Sequence, residues 1–304
     1  MNFQQLRSVR EAQRRGFNLT EVAQALHTSQ PGVSRQIREL EQELGIAIFH
    51  RSGKRLTGLT EPGRQVLPIV EQLLVHAENL RRAGADFAQA SQGLLRIAAT
   101  HSQARYALPP VVRDFREQHP EVELKLQQGS PQQVARLLLD GEADVGIATE
   151  DLALHPELLA LPCYRWTHSL ILPQGHELSQ GELTLERLAA YPVITYELGY
   201  TGRGHIDAAF SAAGLPLKVV LAAMDADVIK TYVELGLGVG IVASIAYDEE
   251  RDRHLHAVDA RHLFADNLTR LAVRRDSYLR DYAYAFIETF APPLDRRAVD
   301  SARQ

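Results

Sequence analysis

"TSQPGVSRQIRELE", residues 28–41, sets two hydroxyls, a glutamine and a proline ahead of a run whose apolar residues recur with helical spacing. Ser29 is placed to cap a helix, and Pro31 suits the first turn, where its missing N–H would have had no intrahelical partner. Gly45 is placed to end that helix. Val33, Ile37, Leu40 and Leu44 fall on one stripe at spacings of four, three and four. Winding at about 100° per residue gathers Gln30, Ser34, Arg35 and Arg38 on the opposite side. Thr28 and Ser29 stand at the entry to that basic face.

Two helical patterns precede this one. Phe3, Leu6, Val9 and Ala12 recur every three residues up to a stop near Gly16, and Thr20 can cap the short pattern "EVAQALH". Beyond Gly45, "GIAIFHRSGKRLTGLT" reads as two short extended pieces around the turn "SGK", presenting Arg51, Lys54 and Arg55. Three helices with a tight turn between the second and third make a helix-turn-helix, and the extended pair makes a basic wing. A helix of this kind fits the major groove, where Arg35 and Gln30 are placed for paired hydrogen bonds to guanine and adenine. The wing cations would meet phosphates, which adds affinity without reading sequence. For an arbitrary helix, a solvated charged face explains the same residues more simply.

Bulk properties agree with a divided chain. Its 304 residues, 45% of them hydrophobic, fit two or three domains. Residues 1–64 carry ten Lys and Arg against six Asp and Glu, whereas the rest carries 23 against 32, so the formal net charge of −5 hides a basic head on an acidic body. The head suits a polyanion and the body keeps the molecule soluble. Apolar runs such as "GIVASIA" fall far short of the roughly 18 residues needed for a membrane span. The N-terminus "MNFQQLRSVREAQRRG" lacks a signal-like apolar stretch, and a cytoplasmic location is expected. Cys163, the single cysteine, excludes an intrachain disulfide and reads as a small buried apolar residue.

Thr60 and Pro62 open a long helix to about Phe87, with Pro68 weakening its first turns. In it Val66, Val70, Leu73, Ala77, Leu80, Gly84 and Phe87 alternate by four and three, which reads as a coiled-coil seam to a second chain or as a helix packed on its own domain. After Gly93, β-like runs at "LLRIAAT", "VELKLQQ", "ADVGIAT", "SLILP", "YPVITY", "LKVVLAA", "GVGIVA" and "LTRLAV" alternate with helical patterns, including 203–213, 224–235 and 276–290. That alternation predicts an α/β class with parallel sheets, and about 200 residues leave room for two lobes.

Residues 29–63, "SQPGVSRQIRELEQELGIAIFHRSGKRLTGLTEPG", resemble the DNA-binding signature of LysR-type transcriptional regulators: S-Q-P, S-R-Q-I, L-E, L-G, F, R and L-T stand at the family's spacing. The resemblance extends over essentially the whole chain. It implies a winged helix-turn-helix over 1–59, a dimerising linker helix over 60–89, and a two-lobed effector domain over 90–304 built like periplasmic binding proteins. Lobe I would take about 90–161 and 268–304, and lobe II about 162–267. The family also implies promoter DNA as partner, homotetramers built from dimers that bend it, contact with RNA polymerase, no membrane and no cofactor.

"THSQARYALP", residues 100–109, follows an expected strand and opens an expected helix, so Thr100, Ser102 and Gln103 crowd a helix N-terminus that favours an anion. Ordinary capping accounts for one hydroxyl. Thr149 closing "ADVGIAT" and Thr201 in "GYTGRG" add hydroxyls at strand ends, where ligands of α/β sheets sit. The stretches "ATHSQARYALP", "GSP", "IATE", "LPCY", "YTGR", "DADVIKTYV" and "LGLGVG" resemble the branch of the family that governs cysteine and sulfur metabolism. That resemblance puts the anion-site hydroxyls at Thr100, Thr149 and Thr201 and the site's amide at Gln103. It implies sulfate, N-acetylserine or a related sulfur metabolite as the effector, at a cysteine regulon or one for sulfonate and sulfate-ester use. Ser102 stands where threonine is expected, keeping the hydroxyl and losing a methyl.

Other features point less far. Asp225, Asp227 and Lys230 read either as a hinge-side polar cluster or as a capped helix with one i,i+3 pair. The twelve histidines show no metal spacing, no G-x-S-x-G elbow appears, and "GLGVG" at 236–240 does not open a helix after a strand. An enzyme would need a catalytic constellation. A solute-binding protein would need an export signal and no winged head.

Overall fold

The computed structural model of the chain describes residues 1–53, 55–88 and 92–303. Two compact units divide it: Met1–Ala85 with Asp276–Tyr278, and Asp86–Arg275 with Leu279–Gln304.

In the first unit α1 (Phe3–Arg14) is capped by Asn2, which forms a reciprocal capping box with Gln5. Helix α2 (Leu19–Ala25) begins two residues earlier than expected: its cap is Asn18, whose carboxamide accepts from Thr20 N and donates to Glu21. Asparagine caps better than threonine, so the stronger cap sets the start and Thr20 becomes helical. Helix α3 (Gln30–Leu44) has its expected cap, Ser29, and its expected stop, Gly45, at φ +69°. Val33, Ile37 and Leu40 lie in one core with Leu6, Val9, Ala12 and Val22. Leu44, expected on that stripe, is 40% exposed because the helix outruns the core it covers.

Strands β1 (Phe49–Ser52) and β2 (Arg55–Leu59) pair antiparallel as the wing. Lys54 lies outside the described residues. Thr60 then ties the wing to α4 (Glu61–Ala88): its hydroxyl accepts from Gly63 N at 3.0 Å and bonds the carbonyls of Ala47 and Ile48. A Cβ on Gly63 would stand 2.0 Å from the Ile48 carbonyl oxygen, so only glycine admits this approach. Thr60→Val should lower the stability of this unit by about 1 kcal/mol, with Thr60→Ser retaining most of it. Urea unfolding of the full chain followed by circular dichroism checks this, and three superimposed curves would show that the cap contributes nothing.

The apolar residues of α4 divide into a buried and an exposed set. Val70, with Leu67 and Leu74, is buried in the winged-helix core, while Leu73 and Leu80 are exposed, as is Ile69. The early turns must cover their own domain before anything else can use the helix, which splits the expected seam. The side chain of Phe87 lies outside the described residues.

The second unit holds β3 (Gly93–Ala99), a π-helical turn (Gln103–Ala107) running into α5 (Leu108–Gln118), β4 (Val122–Gln128), α6 (Pro131–Leu139), β5 (Val145–Ala148) and β6 (Leu158–Trp166). It continues through β7 (His168–Pro173), α7 (Leu185–Ala189), β8 (Val193–Tyr196), α8 (Arg203–Ala212), β9 (Val219–Ala223), α9 (Ala226–Glu234), β10 (Val239–Ala243) and β11 (Leu255–Asp259). β12 (Asn267–Arg274), α10 (Asp281–Phe290) and α11 (Arg296–Arg303) complete it. The strands form two five-stranded sheets, ordered β4-β3-β5-β12-β6 and β11-β7-β10-β8-β9.

Both sheets are mixed, which corrects the expectation of parallel sheets. β3, β4 and β5 are parallel, as are β8, β9 and β10, but β12 runs antiparallel to β5 and β6, and β7 antiparallel to β10 and β11. The chain crosses between sheets at Thr167 and again before Asn267, and a strand arriving from the other lobe needs no crossover helix to enforce parallel pairing. The first crossing falls later than the expected break near 161–162, because β6 runs on to Trp166. Pro162 hides β6 in the sequence, yet an edge strand tolerates a missing N–H.

Candidate DNA interface and effector cleft

The basic face of α3 stands as its capping dictates. Thr28, Ser29, Gln30, Pro31, Arg35 and Arg38 are exposed and Ser34 is half-buried. The Ser29 hydroxyl accepts from Gly32 N at 3.2 Å, so it is spent on the helix end. Arg35 Nε donates to Glu39 Oε1 at 2.7 Å, an exposed pair that raises the guanidinium above its ordinary value and is readily exchanged for another acceptor. Arg38 turns back on the Ser34 carbonyl. Gln30 and Arg55 share a groove of about 390 Å³ with Asn18 and Thr20. Arg51 is placed otherwise than expected: its Nη2 is held at 2.8 Å by Glu41, whose other oxygen accepts the Ile48 and Phe49 N–H groups. This pair fixes the root of the wing.

In the second unit, Thr100 follows β3 and Thr149 follows β5, and these strands pair in parallel with Ala99 opposite Ile147. Register alone therefore sets both threonines at one sheet end. Ser102 and Gln103 open the helical turn after Thr100 and are buried with it. From the other lobe Thr201 is held at φ +42°, a region costly for a β-branched residue, and its hydroxyl lies 3.5 Å from that of Ser102. Ser102, beside Thr100 and Gln103 in one lobe, thus meets Thr201 of the other, with Thr149 at the same sheet end as Thr100.

Gln103 is held by residues the sequence did not single out. Its carboxamide accepts from the Tyr164 hydroxyl and donates to Thr269 Oγ1 at 3.2 Å, and that oxygen also accepts from Trp166 Nε1 at 3.1 Å. A buried network of this kind orients the amide. Thr201 is likewise supported: the His168 ring lies 3.3 Å from its carbonyl, and burial lowers that imidazole to about 4, leaving it neutral at pH 7 with Nε2–H donating. Glu150, next to Thr149, crosses the cleft to accept from Gly202 N, and burial pushes its carboxyl above the ordinary range against the pull of that N–H. Alternation of residue types gives no sign of these partners, because they sit on strands and loops far apart in the chain.

Both readings of the 225–230 stretch hold. Asp225 caps α9 through Val228 N, and Lys230 pairs with Asp227. Asp227 also takes Tyr106 OH at 2.7 Å and Arg105 Nε at 3.0 Å from the opposite lobe, and buried Lys230 is bound by both oxygens of Asp252. The hydrogen bonds and Lys230 hold Asp227 down at about 2, outweighing burial, so it stays ionised. Cys163 packs against the first lobe's core, and burial pushes its thiol up to about 12, which leaves no thiolate for chemistry at pH 7.

Residues 3–64 match the profile of the "Bacterial regulatory helix-turn-helix protein, lysR family", and residues 88–292 match the "LysR substrate binding domain". The chain is 56% identical to the HTH-type transcriptional regulator SsuR of Burkholderia cenocepacia, over 98% of this chain and 97% of that protein. It is 51% identical to CysB of the same organism, over 99% and 97%, and 54% identical to cbl of Escherichia coli, over 95% and 92%. Among solved structures, the cofactor-binding domain of the Cbl transcriptional regulator superposes with a TM-score of 0.67 at 48% identity, covering 69% of this chain and 92% of that one. Full-length CbnR in complex with its target DNA shares the fold at a TM-score of 0.59 and 21% identity, over 98% of this chain and 100% of that one. The profiles and the three relatives are regulators, not enzymes.

Proposed function

The chain belongs to the LysR family of DNA-binding transcriptional regulators, and on that premise we propose that it controls sulfur-assimilation genes in response to a small oxyanion effector bound between its two lobes. The winged head reads promoter DNA through Gln30 and Arg35, with Arg38 and Arg55 on the backbone. The effector is sulfate, N-acetylserine or a related sulfur metabolite, held by Thr100, Ser102, Thr149 and Thr201 and by the first N–H groups of the turn at Gln103. The protein acts in the cytoplasm as a tetramer built from dimers that join along the outward stripe of α4. An effector shifts such an assembly by preferring one arrangement of the lobes.

One observation carries the reading: hydroxyls from two lobes, Ser102 and Thr201, approach to 3.5 Å beside a helix start, with Thr201 held in a costly backbone conformation. Neutral donors at a helix N-terminus suit an ionised oxyanion. Calorimetry of the full chain with sulfate, thiosulfate and N-acetylserine tests it. At least one compound binds, and Ser102→Ala weakens it roughly tenfold or more, since a hydrogen bond to a charged group contributes about 1.5–3 kcal/mol. Binding by none, or indifference to Ser102→Ala, overturns the effector site and leaves the family unaffected. Ser102 in place of threonine widens the pocket by a methyl, which favours a second reading with a larger organosulfur ligand and promoters for sulfonate or sulfate-ester use. Gel shifts on the two promoter classes separate these.

A further inference from the structure

Arg35 is held by a run of side chains that begins on another helix. Its Nε donates to Glu39 Oε1 at 2.7 Å, and among the described residues neither Nη1 nor Nη2 has a hydrogen-bond partner. Glu39 Oε2 accepts from Gln5 Nε2 at 3.2 Å, and Gln5 Oε1 accepts from Asn2 N at 2.9 Å. With its oxygen taken by that N–H, the buried Gln5 amide can turn only its nitrogen toward Glu39. Ser8, further along α1, donates to Gln36, further back on α3. Two polar rungs therefore fix which residues of the two helices stand opposite each other.

Helix support does not account for this arrangement, because an arginine with its glutamate four residues later is the weaker order for an i,i+4 pair. An exposed ion pair by itself contributes little and yields readily to a phosphate. Glu39 differs from such a pair in that a second helix holds its other oxygen. Arg38, on the same face, has no carboxylate partner among the described residues and turns back on the Ser34 carbonyl.

Holding a guanidinium by Nε has a chemical consequence. Nη1 and Nη2 remain as a parallel pair of donors, which matches the O6 and N7 acceptors of guanine end-on. A long side chain oriented before it meets a base loses less rotamer freedom on binding. A phosphate needs no such aim, since charge alone attracts it.

We propose, building on the base-reading role given to Arg35 above, that Glu39 is a positioning residue. Anchored by Gln5, it holds the Arg35 guanidinium so that Nη1 and Nη2 meet a guanine, and thereby sets how far the head prefers its operator to other duplex.

Gel shifts of the full chain on two duplexes, one that wild type enriches from a random-sequence pool and one unrelated, measure that preference. Wild type, Glu39→Ala, Arg35→Ala and the double variant are compared in one buffer. Glu39→Ala should lower the preference about three- to tenfold, the range for one long side chain left to be ordered on binding. Binding to the unrelated duplex should tighten slightly, because a negative charge has left the DNA face. In the Arg35→Ala background the same change should move the preference less than about twofold, since Glu39 acts through Arg35. Equal changes on the two duplexes in Glu39→Ala, or a full loss of preference persisting in the Arg35→Ala background, overturn the inference. So does a preference that Arg35→Ala lowers and Glu39→Ala does not, and Arg35 then still reads a base. A preference that Arg35→Ala leaves unmoved removes the base-reading role and this one with it.

Discussion

Arg35→Ala is expected to weaken operator binding by roughly ten- to a hundredfold, the range that one paired arginine to guanine contact carries. The structure explains why the loss should fall on recognition alone. Arg35 is exposed on α3 and meets only Glu39, four residues on, whereas the core of the head rests on Val33, Ile37 and Leu40. Removing the guanidinium leaves that core and the Ser29 cap in place. Binding to unrelated duplex at the same salt should fall much less, since phosphate contacts supply most of it. Gel shifts on specific and unrelated duplexes in one buffer measure both, and equal losses on the two would place Arg35 on the backbone instead of a base.

Phe115→Ala carries the largest expected cost to stability, about 3–5 kcal/mol. Its ring is fully buried on α5, edge-on to Phe286 of α10 at 5.5 Å and stacked on His119 at 4.7 Å, so its removal leaves a cavity and breaks both ring contacts. Urea unfolding followed through Trp166, the chain's only tryptophan, reports on this unit. The helix that Phe115 anchors is continuous with the turn bearing Gln103, so effector binding should weaken along with stability. A midpoint within error of wild type would show that α5 is not held by this contact.

Short-range patterns were legible without coordinates because they are made of neighbours along the chain. Ser29, Pro31 and Gly45 mark the ends of α3 by local hydrogen bonding and backbone preference, and most strands of the second unit stand where apolar β-formers cluster. Where two local signals competed, as at Asn18 and Thr20, side-chain geometry chose between them. Strand direction was not legible, since a run such as "LTRLAV" has the same alternation in either orientation, and the Pro162 strand lacks the alternation altogether.

Of the effector cleft, the amino-acid order determined the side that one segment builds: Thr100, Ser102 and Gln103 share a single strand-to-helix turn. Tertiary structure decided the rest. The approach of Ser102 to Thr201, the hold of Glu150 on Gly202, and the clamp of Tyr164 and Thr269 on Gln103 join residues between 52 and 166 positions apart. Such meetings depend on the registers of two mixed sheets and on where the chain crosses between them. No local periodicity encodes that, because each strand satisfies its own hydrogen bonds and burial before its end is brought to any particular partner.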